Sequence, residues 1–523
     1  MNVARPILDV LESAPGRVAI VEPKGRAIDC RDLRARVLAF TAHLQARGFA
    51  PGDRVLVQVP AGIELAVAVL GALLSGGVAV LCEPGLGDAV YLGRVRAAAP
   101  TWLLVHPLVA WINRVPGLSA FLKRREIDVP PTPPPGGMTR VPVSAAEIER
   151  IAKRPAAPRI VEREAGDDAV LVFTGGTTTA PKGVRLTHEA LGPYLGNVSS
   201  LVAGESGKTF VADTPQQMLF ALRLGWTVHV TRGRSAKRAR HVLALLARER
   251  IGAYFSSPYV WTEIMAATNG RRPWTGANPA RVLLGSAPVT AAFLERLRGY
   301  LDPATKVLVV YGLTECGPAC AVLAEEKLGF ADAGDLVGAP LPGVEIAIED
   351  PRPDGVGEVV IRGPSLYAGY LGEPDRAAGD GLRTGDLGRT VEVGGRPMLA
   401  LLGRAKDMIV RAGVNIYPAS FEPQVRALRD GGGTPLVREC AMVGVWSEAR
   451  QDEEVVLFIE PERGVQLEAN QLRPRVETIT GPDAAPDRVI VVPAIPLTGR
   501  QNKVDKEALR RMAGATPAGK ARG

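Results

Sequence analysis

Cysteine is scarce in this chain of 523 residues. Cys30, Cys82, Cys316, Cys320 and Cys440 are its five, and only Cys316 and Cys320 lie close together. That pair has no second pair of ligands to complete a zinc site, and the scatter of the rest excludes a disulfide framework. Both points fit a reducing cytoplasm. Basic residues are not interleaved with aromatics, which argues against nucleic acid as a partner. The 63 Lys and Arg against 55 Asp and Glu leave a net charge of +8. Spread over so long a chain, this implies a mildly basic surface, with attraction of phosphates as the second reading. The opening MNVARPILDV lacks the charged-then-apolar layout of a signal peptide, so a cytoplasmic protein is expected. No internal repeat is visible. An unbroken apolar span is missing too: LAVAVLGALLSGGVAVLC, from Leu65 to Cys82, is split by Ser75-Gly76-Gly77 and flanked by Glu64 and Glu83. It reads as helix, turn and buried strand, with no transmembrane segment.

What is present is the composition of a globular protein, 46% hydrophobic and 23% charged. The length predicts about two to four domains. Arg31–Arg47 has the pattern of an amphipathic helix, Asp53–Val59 of a strand, Ala61–Leu74 of a helix and Val78–Cys82 of a strand. This alternation predicts α/β layers around a largely parallel sheet. The proline-rich stretch 126–158 reads as a surface excursion, unsuited to a central strand. A second α/β stretch follows from Asp168 to about Val310. From Pro342 to Leu402 short alternating strands with Gly turns predict a small β-rich subdomain. Beyond Gly403 a compact α+β unit is expected, with helices around Ala419–Leu428 and Leu467–Ile479, the latter bent at Pro474. Its strands are expected at Cys440–Val445, Glu454–Ile459 and Arg488–Val492. The last residues read as a frayed tail.

Ala169–Phe173 (AVLVF) has the composition of a buried strand and runs into Thr174-Gly175-Gly176-Thr177-Thr178-Thr179-Ala180-Pro181-Lys182-Gly183. Paired glycines let backbone N–H groups converge, and hydroxyls with one ammonium complete a cradle of donors suited to a polyphosphate. A ligand-free Gly/Thr-rich hairpin is the competing reading. The spacing is not that of a Walker loop, and Gly207-Lys208-Thr209 lacks the first glycine such a loop needs, since Val202 stands there.

The run TGGTTTAPKGVRLTH resembles the signature loop of the adenylate-forming superfamily, which includes acyl-CoA synthetases, peptide-synthetase adenylation domains and luciferases. Thr179 stands where the family has Gly. Five further segments fall in the family's order. Leu284-Gly285-Ser286-Ala287-Pro288 resembles the turn packed against adenine. Tyr311-Gly312-Leu313-Thr314-Glu315 resembles the segment whose aromatic ring stacks on adenine, whose Thr contacts phosphate and whose Glu holds magnesium. Arg383-Thr384-Gly385-Asp386 resembles the turn whose aspartate accepts the ribose hydroxyls. Leu402-Gly403-Arg404-Ala405-Lys406-Asp407 resembles the hinge, with Arg404 on ribose or phosphate and Lys406 at the pivot. It continues into Arg411–Pro418, where Gly413 is the glycine of the acceptor loop. Ile495–Lys503 resembles the loop bearing the catalytic lysine, here Lys503.

The resemblance implies a large AMP-binding domain over 1–403, a small mobile C-terminal domain over 404–512 and a tail over 513–523. It implies an enzyme that uses ATP and Mg2+ to turn a carboxylic acid into an acyl-adenylate. Thr174, Gly175, Gly176, Thr177, Thr178 and Lys182 would grip phosphate, and Lys503, Thr314 and Glu315 would carry the chemistry. Coenzyme A is the expected acceptor. A carrier protein's phosphopantetheine and the closure of a β-hydroxy acid to a β-lactone are the alternatives, the latter because LFAL and Glu83–Gly87 resemble ligases of olefin biosynthesis. A relative that binds nucleotide without turnover is a third. The acid is expected to be fatty or otherwise hydrophobic; Met218, Leu219, Phe220 and Trp226 would suit an apolar acyl chain, with plain core as the competing reading. Ala221 stands where His is common in the family, and His229 reads as structural.

Overall fold

The structure, a computed structural model, describes the chain except residues 83–87, 125–128, 132, 134–136, 155–156, 174–181, 203–207, 232–234, 331, 333, 378, 412–413, 448–449, 451, 499–502 and 515–523. Two large sheets carry its N-terminal part. In the seven-stranded sheet Asp168–Phe173, Val78–Leu81, Arg54–Gln58, Trp102–Val105 and Thr139–Pro142 lie side by side and parallel. Gly183–Thr187 and then Gly369–Tyr370 are added antiparallel at the other edge. Thr139–Pro142 falls inside the proline-rich excursion but lies at the sheet's edge, where Pro142 forfeits no hydrogen bond to a second neighbour.

The second sheet has thirteen strands. Val18–Val21, Thr227–Val230, Thr209–Ala212, Ala253–Ser256, Arg281–Leu284 and Lys306–Leu313 are parallel neighbours. Gly317–Leu323 then turns back, and Asp335–Pro340 leads to Arg396–Arg404, Leu382–Val393, Gly357–Arg362 and Glu345–Glu349, all antiparallel. The expected β-rich part is therefore present as an extension of the long sheet. Cys320 pairs with Pro340 and Ala321 with Ala339, so the hydrogen bonding never breaks between the α/β and all-β parts.

One hydrophobic cluster joins the facing sides of the two sheets, with residues such as Val55 and Ala79 from one and Phe210 and Val228 from the other. Helices Cys30–Ala46, Ile63–Leu74 and Pro215–Arg223 contribute to the same cluster. Every residue of Ile63–Leu74 is buried, as a helix apolar all round except at Glu64 requires. Gly76, at φ +81°, ends that helix, with Gly76 and Gly77 N–H groups returning to Leu73 and Ala72 carbonyls. A side chain on Gly77 would meet the Phe49 ring at 2.4 Å, so the turn that splits the apolar run also permits close packing. Glu64 at the helix start is buried but takes two hydrogen bonds from Arg26. Among the described residues no helix is long and apolar enough to cross a membrane.

The C-terminal part is α+β. Val437–Ser447 and Asp452–Pro461 form a long antiparallel pair, with Arg488–Val491 parallel to the second. Helices Pro418–Arg426 and Ala469–Ala484 cover it. The break in the latter falls at Gly481, whose φ of 69° and ψ of 176° are not helical, and not at the expected Pro474. Pro474 lies within the second turn without departing from helical φ/ψ, whereas Gly481 takes the positive φ that glycine reaches without strain. All five cysteines are free.

Candidate active site

Parallel strands in register bring their C-terminal ends together. Ala253–Ser256, Arg281–Leu284 and Lys306–Leu313 thus place Ser256, Gly285–Ala287 and Tyr311–Glu315 side by side. The glycines here are dictated by contact. A side chain on Gly285 would lie 2.9 Å from the Phe255 ring and 3.1 Å from the Val310 carbonyl. One on Gly312 would sit 2.1 Å from the Gly317 carbonyl, because the chain reverses tightly between these two residues. Ser286 holds φ +66°, a left-handed conformation that costs about 1 kcal/mol or more in a non-glycine residue. Strain of this kind gathers where a loop must present its backbone to a ligand.

Asp386 lies beside this edge on Leu382–Val393 and pairs across the ladder with Arg404. Its carboxylate accepts from the Tyr311 hydroxyl at 2.6 Å and lies 2.8 Å from Arg404 Nε. Arg404 also donates to the Thr384 carbonyl at 2.9 Å, and the Asp386 N–H donates to the Thr384 hydroxyl at 3.0 Å. Asp386 is only 6% exposed. Burial raises its pKa above the usual carboxylate value, and the Arg404 cation, the Tyr311 hydrogen bond and the Lys503 ammonium oppose that rise. A carboxylate offers about four acceptor positions. Two are occupied, which leaves room for a ligand's hydroxyls.

Lys503 reaches this cluster from the C-terminal part. It pairs with Thr498 in a short hairpin, and its side chain is exposed to solvent. Its pKa is nevertheless lowered, first by the protein packed around the ammonium and then by Arg404, with Asp386 opposing. A cation already crowded by another cation gains when negative charge develops nearby. The connecting segment is also anchored. Lys406 lies in a single 3-10 turn, Ala405–Asp407, whose end is held by Arg510 through the Lys406 carbonyl at 3.3 Å and Asp407 Oδ1 at 3.2 Å. Across the same boundary Arg352 donates to the Tyr417 hydroxyl and contacts Met408 Sδ at 3.2 Å. Gly413 lies outside the described residues, between the paired strands Ile409–Arg411 and Val414–Ile416.

Thr174, Gly175, Gly176, Thr177 and Thr178 also lie outside the described residues. The strands that enter and leave this segment pair from Phe173 with Gly183 onward, and Lys182 follows it directly. Lys182 Nζ stands 4.8 Å from the centre of the Tyr370 ring. The Tyr370 hydroxyl donates to Glu315 Oε1 at 2.9 Å, and the Tyr367 N–H donates to the Glu315 carbonyl at 2.7 Å. Glu315 is 8% exposed, and no cation pairs with it among the described residues. A buried carboxylate without a cation is costly. Beside a polyphosphate it fits Mg2+, which uses one or two carboxylates and phosphate oxygens as ligands. Thr314 precedes it in the same turn.

The sequence therefore points to Gly285, Ser286, Ala287, Tyr311, Gly312, Glu315, Asp386, Arg404 and Lys503, and the fold gathers these at one sheet edge. It does not single out Tyr370, although two tyrosines three apart beside Gly369 are conspicuous in a chain with 5% aromatics. Met218, Leu219, Phe220 and Trp226 are buried in the core between the sheets and are not available to an acyl chain. Their helix is tied down instead by Gln217, whose Oε1 accepts from the Asp213 N–H and whose Nε2 donates to the Phe255 carbonyl. His229 is buried in its strand, as expected of a structural histidine.

A family model described as AMP-binding enzyme matches residues 9–371, and one described as AMP-binding enzyme C-terminal domain matches residues 432–502. Feruloyl-CoA synthase of Amycolatopsis sp is 28% identical over 509 residues, which cover 94% of this chain and 95% of that protein. Salicyl-AMP ligase / salicyl-S-ArCP synthetase of Mycobacterium tuberculosis is 27% identical over 551 residues, 97% of this chain and 90% of that protein. The crystal structure of ATP-bound MatB from Rhodopseudomonas palustris superposes with a TM-score of 0.79 over 98% of this chain and 99% of its own, at 23% identity, a likeness of fold.

Proposed function

This chain belongs to the AMP-binding enzyme family, and from that premise we propose that it is an AMP-forming acid–thiol ligase. It joins a hydrophobic carboxylic acid to AMP and then passes the acyl group to the thiol of coenzyme A. In the first step a carboxylate oxygen attacks the α-phosphorus of ATP, the bond to the bridging oxygen breaks, and pyrophosphate leaves. Tyr311 stacks on adenine against the Gly285–Ala287 turn. Asp386 accepts the ribose hydroxyls, and Arg404 keeps its carboxylate charged. Thr174, Gly175, Gly176, Thr177, Thr178 and Lys182 hold the departing phosphates, with Thr314 beside them. Glu315 would hold Mg2+, which would supply charge neutralisation for the phosphates. Lys503 stabilises the charge that grows around the α-phosphorus.

In the second step the unit over 404–512 turns about Lys406, withdraws Lys503 and brings the Gly413 loop to the thiol's path. The thiolate sulfur forms the new bond to the acyl carbon, and AMP leaves. The observation that carries this reading is the cluster in which Asp386 accepts from the Tyr311 hydroxyl at 2.6 Å and lies 2.8 Å from Arg404 Nε, with the Lys503 charge of the C-terminal part acting on it. A hydrophobic acid is supported by the Tyr194 and Phe255 rings, which pack where side chains on Gly317 and Gly285 would otherwise stand. The names of relatives, feruloyl and salicyl, point to aromatic acids within that class.

The test is acid-dependent pyrophosphate release over a panel of fatty, aryl and β-hydroxy acids, with and without coenzyme A. Release with a hydrophobic acid and an acyl-CoA product supports the proposal. ATP binding without release by any acid refutes it in favour of a non-catalytic relative. A lactone, or product only with a carrier protein, refutes coenzyme A as acceptor.

A further inference from the structure

Tyr370 occupies a strategic point between the two sheets. The segment Tyr367–Leu371 crosses from one to the other. At one end the Tyr367 N–H holds the Glu315 carbonyl at 2.7 Å. At the other, Gly369 pairs with Arg185 and Tyr370 with Val184, while the Leu371 N–H reaches the Gly183 carbonyl at 2.7 Å. The strand Gly183–Thr187 begins one residue after Lys182, so Tyr370 is registered against the phosphate loop's exit. Its hydroxyl reaches Glu315 Oε1 at 2.9 Å, and its ring lies 4.8 Å from the Lys182 ammonium. The Tyr367 ring packs edge-on at 5.0 Å and limits the ring's rotation. One half-buried side chain thus contacts both the carboxylate and the cation that ATP with its metal requires.

We infer that Tyr370 is a positioning residue that keeps Lys182 and Glu315 apart and presents each to its own part of the metal–nucleotide substrate. The inference rests on the function proposed above. A Lys182–Glu315 ion pair would satisfy both groups and remove both from the substrate, because an ammonium and a carboxylate in contact attract strongly away from bulk water. The intervening ring prevents that collapse. Its π face gives the ammonium a weak resting place that a phosphate readily displaces. The hydroxyl fixes one carboxylate oxygen of Glu315, which leaves the other turned to a metal ion.

The experiment uses the full chain with a non-hydrolysable ATP analogue. Mn2+ affinity in the presence of the analogue is read by electron paramagnetic resonance, and analogue affinity without metal by calorimetry. Tyr370→Phe keeps the ring and loses the hydroxyl. It is expected to weaken Mn2+ about tenfold, the factor implied by one lost hydrogen bond to a charged group, and to leave metal-free analogue binding unchanged. Tyr370→Leu removes the spacer and is expected to weaken both. Wild-type Mn2+ affinity in Tyr370→Phe overturns the inference. So do equal losses in both measurements for both variants, which would mark a purely structural role. Should Tyr370→Leu fail to fold, the Phe variant decides alone. Wild type that binds neither analogue nor Mn2+ overturns the proposed function as well, whereas normal wild-type binding with an unaffected Phe variant overturns only the role of Tyr370.

Discussion

Lys503→Ala is expected to separate the two half-reactions. Lys503 sits on a hairpin held by backbone pairing between Leu497–Thr498 and Lys503–Val504. Its side chain is exposed, so its removal changes folding stability by no more than about 0.5 kcal/mol. Its ammonium, however, interacts electrostatically with Arg404 and Asp386, and the proposed mechanism has negative charge grow beside them as the acid attacks. Loss of one preorganised donor of this kind costs on the order of 10²–10³ in rate, or ~3–4 kcal/mol of barrier. The catalytic effect is therefore several times the structural one. Pyrophosphate release from ATP and acid, followed by rapid quench, measures the first half-reaction. Thioester formation from a synthetic acyl-adenylate and coenzyme A measures the second. The first should fall by that factor and the second should stay within about twofold. A pH profile adds an independent check. The Lys503 pKa lies below the ordinary 10.5, so its proton is lost earlier as pH rises. Wild-type pyrophosphate release should decline along an alkaline limb below that value, and the variant should lack the limb. Equal losses in both half-reactions would refute the reasoning. So would unchanged release, or a melting temperature lowered by more than about 4 °C.

Gly312→Ala places a methyl 2.1 Å from the Gly317 carbonyl and must displace the turn that carries Glu315. A loss of about 1–3 kcal/mol in urea unfolding is expected, with weakened ATP binding. Asp386→Asn removes the charge shared by Tyr311 and Arg404. Arg404 is 43% exposed and recovers part of the loss from water, so calorimetry should show ATP affinity reduced by roughly tenfold rather than by the full cost of breaking a buried pair. His188 is fully buried, its Nδ1 accepting from the Val3 N–H, and burial lowers its pKa from 6.5 to about 4. Between these values the unfolded chain takes up a proton that the folded chain refuses, so stability is lost as pH falls through that window, by up to ~3 kcal/mol. His229 acts in the same direction. Urea midpoints at pH 7 and 5 should differ in wild type, and the difference should narrow in His188→Gln, with His229 supplying the remainder.

Much of the candidate site is legible in the chain because its chemistry is carried by short segments. Gly285, Gly312 and Asp386 each stand in a short run of neighbouring residues, and the resemblance of those runs to the family's segments exposes them. Alternating helix and strand patterns predict the α/β layers because burial of one face imposes a period on the residues themselves. The run Leu65–Cys82 is read correctly as helix, turn and strand because glycine punctuates it locally. The small C-terminal unit is likewise visible in its elements, though not in where its second helix breaks.

The remaining features depend on residues distant in the chain, which no local pattern reports. That the β-rich stretch continues the long sheet follows only from the pairing of Cys320 and Ala321 with Pro340 and Ala339. Met218, Leu219, Phe220 and Trp226 are apolar in any reading, and only the opposing sheet decides that they fill a core instead of lining a pocket. The sequence by itself determined which side chains the candidate site contains, since each is carried by a short segment with its own pattern of residue types. The tertiary structure alone decided how that inventory is held. It placed Tyr370 between Lys182 and Glu315 through a strand pairing across the chain, and it brought the charge of Lys503 from the C-terminal part to bear on Asp386. Distance and orientation between remote groups are set by the packing of whole layers, and electrostatic work depends on distance and burial as well as on the charges that residue type supplies.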